Sequence, residues 1–393
     1  MSTPAPHLRR ARLGVNILFL TNGALFANLL PRYPMVKDLL GVDATIFGLL
    51  VACFPFGAMI AGLTAGKVIR RFSSATTAMV GTYVVAIALL IASLALEASP
   101  FLFALAMFVG GGADAIVDVG QNAHGMRVQR GYGRSIINSF HAAWSAGAVI
   151  GGLMGSAATG LKVALHVHLG VSGVMFCAAA YVAGRLALPG PDTPEIEEHE
   201  DAGANVPSYR SALLIMAALS IVALSGTFVE DAGSTWSALF LRDIVGATGG
   251  IVGLGYVAMV AAQFVGRMTG DRFTDRYGAR AVARVGAFLI ATGMTLMLLW
   301  PNTATTLSAF ALAGFGCATL VPAAFDAADR IPGLPEGTGL TMIGWTMRLA
   351  FLSGPPLVGL ITDAVGLRIG LAIVPLGAIA LVFASRVLPR RAG

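Results

Sequence analysis

The stretch GGGADAIVDVGQNAHG, residues 110–125, places Asp114, Asp118, Gln121, Asn122 and His124 inside a run of Leu, Phe, Ala, Val and Met. Asp114 and Asp118 are one helical turn apart, and Gln121 and Asn122 continue the same face. A carboxylate at the centre of a lipid-facing helix costs about 3 kcal/mol on insertion scales, so this face is expected to look into protein or water. A carboxyl taken out of water favours its neutral form, which suits it to binding and releasing protons near neutral pH. Asp118 has a second reading, as a helix-end lock with Arg127 or Arg134. His124, nearer the end of the run, is expected at the interface.

Other polar residues stand in equally apolar surroundings. Glu230 and Asp231 are adjacent, and neighbours on a helix point about 100° apart, so they are not expected to share one role. Glu230 is the expected cavity-facing member, with Asp231 paired to Arg242 or a helix end. Asn22 and Asn28 offer short amides for polar solute groups or for interhelical hydrogen bonds. Arg348 reads as the one basic residue deep within an apolar segment. A bare guanidinium there is too costly, so a carboxylate such as Asp326, or an anionic solute, is expected beside it. His141 falls within one position of the counterpart of Arg348 and either titrates near neutral pH or caps a helix contact. Trp144 and Trp345 offer flat faces to a ring, or pack against core or lipid.

The composition explains why such residues are conspicuous. Of 393 residues, 56% are hydrophobic and 12% charged, with a mean hydropathy of +0.79. Soluble domains carry about twice that share of charge, so the chain reads as an integral membrane protein. The net charge of +6 and pI near 9.5 would suit nucleic acid, but the basic residues cluster at the ends of apolar runs, as topology signals do. Cys53, Cys177 and Cys317 lie far apart inside apolar runs and read as small buried hydrophobes. The basic N-terminus leads into an apolar run too long for a signal peptide, hence a retained first helix. No H-E-x-x-H, nucleophile elbow or metal-ligand spacing occurs, so neither catalysis nor a metal or cofactor is expected.

Apolar segments fall near 14–36, 45–69, 75–96, 101–126, 136–160 and 163–188, then near 211–235, 250–273, 282–300, 303–327, 338–362 and 366–388. Each matches a hydrocarbon core of about 30 Å when helical. Between the sets, PGPDTPEIEEHEDAGANVPS (189–208) is acidic and Pro-rich, a flexible linker between bundles at 1–188 and 209–393. With alternating spans, most Arg and Lys, including Arg9, Arg127, Arg276 and Arg390, fall on one side; Arg32, Lys37, Lys162, Arg242 and Arg368 fall on the other. Both termini and the linker are therefore expected in the cytoplasm. The halves repeat: VKDLLGVDATIFGLLVA (36–52) aligns with LRDIVGATGGIVGLGYVA (241–258), and FVGGGADAIVDVGQN (108–122) with LAGFGCATLVPAAFD (312–326) in glycine spacing. Parallel repeats joined by a long loop are a secondary-transporter architecture.

The sequence also resembles the major facilitator superfamily, which carries G-x-x-x-D-R/K-x-G-R-R/K after its second helix and a weaker copy after its eighth. GLTAGKVIRRF keeps Gly62, Lys67, Arg70 and Arg71, with Gly66 in place of the family Asp; GDRFTDRYGAR keeps Asp275, Arg276, Gly278 and Arg280. Gly66 removes the acid of the family's lock between helices 2 and 11. VEDAGSTWSALFLRD is similar to the E-x-A-x-x-x-W-S segment of a bacterial branch related to fucose-permease-like and rhizopine-type transporters. SAGAVIGGLMGS faintly resembles the antiporter motif G-x-x-x-G-P-x-x-G-G, without its proline.

The resemblance implies an all-α membrane fold of twelve spans in two pseudo-symmetric six-helix bundles, with helices 1, 4, 7 and 10 lining a central cavity. It implies a monomer in the bacterial inner membrane that works by alternating access. The expected function is proton-coupled movement of a small polar organic solute, with Asn22, Asp114, Glu230 and Arg348 near the midplane. Proton-driven efflux of a metabolite or drug is the alternative. A receptor, or an enzyme with Asp and His at membrane depth, is a more distant one. Gly62, Lys67, Arg70, Arg71, Asp275, Arg276 and Arg280 would form the gating loops.

Overall fold

The computed structural model describes residues 5–190, 209–331 and 338–389. The expected linker at 189–208 lies almost entirely outside them, as do Arg390 and Arg391. Among the described residues every regular element is helical. The principal helices are α1 (Pro6–Ala27), α2 (Ala44–Gly62), α3 (Ser74–Ala95), α4 (Pro100–Tyr132), α5 (Ile137–Gly160) and α6 (Leu165–Leu186). They continue as α7 (Tyr209–Asp231), α8 (Leu254–Tyr277), α9 (Ala279–Leu299), α10 (Thr303–Cys317), α11 (Thr338–Val365) and α12 (Ile373–Ala384). Short helices extend several of them. Tyr33–Leu40 comes after α1, Ala65–Phe72 after α2, Ser237–Asp243 after α7, and Leu320–Asp329 after α10.

Ten of the helical stretches are long and apolar enough to cross a membrane. α5 and α11, at 24 and 28 residues, have the length without the composition: α5 is rich in Gly and Ser, and α11 carries Arg348, Pro355 and Pro356. Exposed side chains such as Phe101, Val174 and Leu214 are what a lipid solvent requires of the outer faces of such helices.

Local chemistry sets the helix ends. The Asp43 carboxylate accepts from the Ile46 N–H at 2.7 Å and caps α2. Asn302 and Thr305 form a reciprocal capping box on α10, satisfying two N–H groups left over by helix geometry. Gly133, with φ +64°, ends α4 in the left-handed conformation that glycine adopts without strain. α11 runs unbroken through Pro355 and Pro356, although each proline removes one backbone donor.

The chain divides into two compact units, Met1–Pro194 with Thr248–Val257, and Glu195–Ala247 with Ala258–Gly393. In the first, α1 packs on α5 and α6, and α3 packs on α4 and α6. In the second, α7 packs on α11 and α12, and α9 packs on α10 and α12. The same pairings thus recur six helices later, as the sequence repeat requires. The first unit's core includes Ala11, Val15, Phe19, Val128, Ile136 and Phe140, with the Phe19 and Phe140 rings stacked at 5.7 Å.

Close approach of α1 and α5 depends on glycine. A Cβ at Gly23 would collide with the Trp144 carbonyl, and one at Gly147 with the Leu20 carbonyl. Small residues that let backbones touch are the main means of helix association in lipid. Gly147→Val is therefore expected to destabilise the first unit by about 3 kcal/mol, read as a lowered midpoint in fluorescence-detected thermal unfolding. An unchanged midpoint would refute the contact.

Candidate functional site

In the first unit, Asn22 of α1 is the centre of a polar network. Its Nδ2 donates to Asp114 Oδ1 of α4 at 2.6 Å. Its Oδ1 accepts from Trp144 Nε1 of α5 at 2.9 Å and from Gln121 Nε2 at 3.2 Å. An indole N–H can only donate, so the Asn22 oxygen must face Trp144 and its amide nitrogen must face Asp114. The orientation is set by chemistry. Gln121 Nε2 also reaches Asp118 Oδ1 at 3.3 Å, and Asn122 Nδ2 donates to the same oxygen at 3.1 Å. The i, i+3 and i, i+4 spacing of these α4 residues is what lets one carboxylate collect both amides.

Asp114 lies well inside the 33-residue helix α4, near its middle. Its Oδ2 has no hydrogen-bond partner among the described residues, while Oδ1 is held by Asn22. Gln121 is fully buried with Oε1 unpartnered. The network therefore keeps one carboxylate oxygen and one amide oxygen uncommitted. Asp118 pairs with neither Arg127 nor Arg134; the Arg127 guanidinium instead donates to the carbonyls of Pro189 and Gly190. His141 is exposed, and its ring meets Phe19 edge-on at 5.2 Å.

In the second unit, Glu230 of α7 faces α8. Gln263 Nε2 donates to Glu230 Oε1, and Arg267 Nη2 lies 3.2 Å from the same oxygen. Gln263 and Arg267 are one turn apart, so a single face of α8 presents both donors. Gln263 Nε2 also approaches Cys317 Sγ at 3.6 Å. Arg267 stands about ten residues from the end of α8, or about 15 Å along the axis. Arg348 is thus not the one deep basic residue. Arg267 is another, hidden in the sequence by the charged residues close after it.

The structure corrects several expectations. Asp231 does not pair with Arg242. It is buried, its Oδ1 accepts from Thr235 Oγ1 at 3.0 Å, and its Oδ2 has no hydrogen-bond partner among the described residues and packs against Gly354 of α11. Arg242 bridges Asp243 at 2.5 Å. Arg348 has no carboxylate beside it among the described residues; its guanidinium lies 5.6 Å from the centroid of the Trp345 ring, a cation–π contact. Asp326 bridges Arg330 one turn away. Trp236 is buried, at the end of a π-helical turn over Ala232–Trp236 that follows α7. His124 is also buried, its ring held by Ser74 Oγ and the Leu188 N–H.

Asn28 stands apart from the Asn22 network. It is fully buried, donates to the Ala24 carbonyl, and meets His168 Nε2 of α6 at 2.9 Å. Arg32, expected in an outer loop, is only 2% exposed. Its Nη2 donates to the Val163 carbonyl at 2.7 Å.

The loop motifs sit at helix ends. Gly62 closes α2, while Lys67, Arg70 and Arg71 lie exposed on the helix Ala65–Phe72. A Cβ at Gly66 would lie 3.4 Å from Arg70 Nη1, so the missing family acid would have met that arginine. Asp275 and Arg276 are exposed near the end of α8. Arg280 ties the start of α9 to the chain end, donating to the carbonyls of Leu388 and Arg386. Among the described residues no group of three His, Cys, Asp or Glu converges on a metal position.

Two repeated units of long apolar helices with carboxylates inside them define a multi-pass membrane transporter. The chain belongs to the Major Facilitator Superfamily, whose family model matches residues 15–244 and 226–393. It is therefore a transporter and not an enzyme. An uncharacterized transporter of Sinorhizobium fredii is 30% identical over 92% of this chain and 94% of its own. The membrane protein MosC of Rhizobium meliloti is 30% identical over 92% of this chain and 86% of its own. Among solved structures, the nucleoside transporter NupG is similar with a TM-score of 0.72 at 14% identity, covering 97% of this chain and 98% of its own. A D-xylose-proton symporter reaches 0.71 at 14% identity, covering 98% and 97%.

Proposed function

We propose that the protein is a proton-coupled transporter of a small polar organic solute, driven by alternating access in the bacterial inner membrane, with both termini cytoplasmic. The observation that carries this is the Asn22 network. The Asp114 carboxylate is held in the middle of an apolar helix by one neutral amide, Asn22, which Trp144 and Gln121 hold in turn, with no basic residue within ion-pair distance of it among the described residues. A carboxylate committed to structure would be matched by a cation. One matched only by neutral donors is free to lose its charge by taking a proton. The remaining polar groups, Gln121 Oε1 and Asn122 among them, suit hydroxyls and amides of a solute better than a large apolar drug.

Proton binding and solute binding must each favour one conformational state over another, since a ligand shifts an equilibrium only through differential affinity. The chain is read as a monomer. The test begins with a thermal-shift screen of purified protein against sugars, cyclitols, organic acids and amines. Proteoliposomes are then loaded with a pH-sensitive dye and the stabilising solute is added outside. Solute-driven proton entry is the expected result. Proton exit on solute entry would establish the exchange mode of an efflux pump. Stabilisation without counterflow would make the protein a receptor and end the proposal.

A further inference from the structure

The second unit carries an apolar groove of about 370 Å³ between α8, α9 and α10, which begins on α8 at Gly266, next in sequence to Arg267 of the Glu230 pair, and runs away from it. Its walls include Gly270, Phe273, Tyr277, Val282, Val285 and Phe315. Its glycines bring the walls together, since a Cβ at Gly266, Gly270 or Gly286 would collide with Ala318, Thr319 or the Gly316 carbonyl, and Phe273, Tyr277 and Val285 are exposed along it. Along α8 it runs from Gly266 to Tyr277. A helix of that length spans about 16 Å, half of the roughly 30 Å hydrocarbon core. The groove therefore has the depth of one leaflet.

Its polar end is basic. Arg272 and Arg276 stand with Asp271 and Asp275 near the end of α8, and Arg280 and Arg284 near the start of α9. Arg280 and Arg284 are engaged by the chain end, through the Leu388 carbonyl and Ser385 Oγ. Arg272 and Arg276 are exposed and have no ion pair among the described residues. The Arg276 guanidinium lies 5.4 Å from the centroid of the Tyr277 ring, itself a wall of the groove. The cation is thus held at the groove's mouth. A guanidinium fork matches phosphate oxygens in pairs, and basic pockets between membrane helices collect anionic head groups.

We infer that this groove is a binding site for one anionic glycerophospholipid, with an acyl chain along Gly270, Phe273 and Val285 and the phosphate on Arg276 and Arg272. The inference is independent of the transported solute. A second copy of the chain is the competing occupant, and the charge clustered at the polar end favours the anionic lipid.

The test is native mass spectrometry of protein released from nanodiscs of equal phosphatidylglycerol and phosphatidylcholine. Wild type is expected to retain one phosphatidylglycerol, with a preference of roughly tenfold. Arg272→Gln with Arg276→Gln should cut that preference about fivefold or more while a lipid is still retained. Val282→Trp should fill the groove and lose the retained lipid of either kind. Ala281→Phe, at an exposed position of the rim, serves the same purpose if Val282→Trp fails size exclusion. Equal retention of both lipids by wild type would overturn the site. So would a preference untouched by the double variant, lipid retention untouched by the filling variants, or a dimer in place of the lipid adduct.

Discussion

Asp114→Asn is expected to abolish solute-driven proton movement in proteoliposomes while leaving solute counterflow within about tenfold of wild type. The substitution keeps the size of the side chain and an acceptor oxygen for Asn22 Nδ2, which lies 2.6 Å from Asp114 Oδ1. It removes only the ability to carry a charge. Counterflow needs solute to bind and the protein to switch, with no change in protonation, so it should survive. Net uphill movement needs the proton and should not. Asn22→Leu is the contrasting change. It leaves the Trp144 indole N–H without its acceptor and Asp114 Oδ1 without its donor, while Gln121 keeps Asp118, at about 1–3 kcal/mol for each unmet group. That variant should lower Tm by about 5 °C and lose counterflow as well. Proton movement that persists in Asp114→Asn would remove Asp114 from the coupling mechanism.

The first unit's network is the more legible of the two in sequence because most of it lies on one helix. Asp114, Asp118, Gln121 and Asn122 announce themselves by spacing alone, since a polar stripe inside an apolar segment must have something other than lipid to face. Trp144 offers the sequence only a flat surface, because no local pattern tells which way an indole N–H points. In the second unit Glu230 is legible, but its partners are not. Gln263 and Arg267 are also one turn apart, and a count of polar residues on that face would find them. The nearby Arg272 and Arg276 make the stretch look like the start of a loop. The expected pairing of Asp231 with Arg242 fails across a π-helical turn over Ala232–Trp236, which follows α7, adds a residue to the turn and so rotates the residues beyond it relative to Asp231. Burial of Arg32 depends on the Val163 carbonyl just before α6, a contact too distant in the chain for any local pattern to report. The fold is easier, since hydropathy and repeat length act over whole helices and tolerate local error. Breaks such as those after Gly62 and Cys317 do not disturb the count of segments.

Replacing either member of the Glu230–Arg267 pair is expected to raise the apparent KM for solute roughly 10–100-fold, with Tm changed by less than about 2 °C. The split comes from exposure. The side chains of Arg267 and Glu230 are 39% and 23% accessible, so the pair is partly screened and contributes little to stability. Yet Glu230 Oε1 accepts from both Gln263 and Arg267, leaving Oε2 with no partner among the described residues, and the guanidinium retains donors beyond the one it has committed. A solute hydroxyl can bridge those two groups without dismantling the pair. The double variant Glu230→Gln with Arg267→Gln separates this from a structural role. If the pair only holds α7 against α8, neutralising both removes the stray charge that each single variant leaves, and KM returns towards wild type. If the pair is the solute contact, the double variant stays as impaired as the worse single one, because both groups act as one unit. Recovery of KM in the double variant would relegate Glu230 and Arg267 to scaffolding.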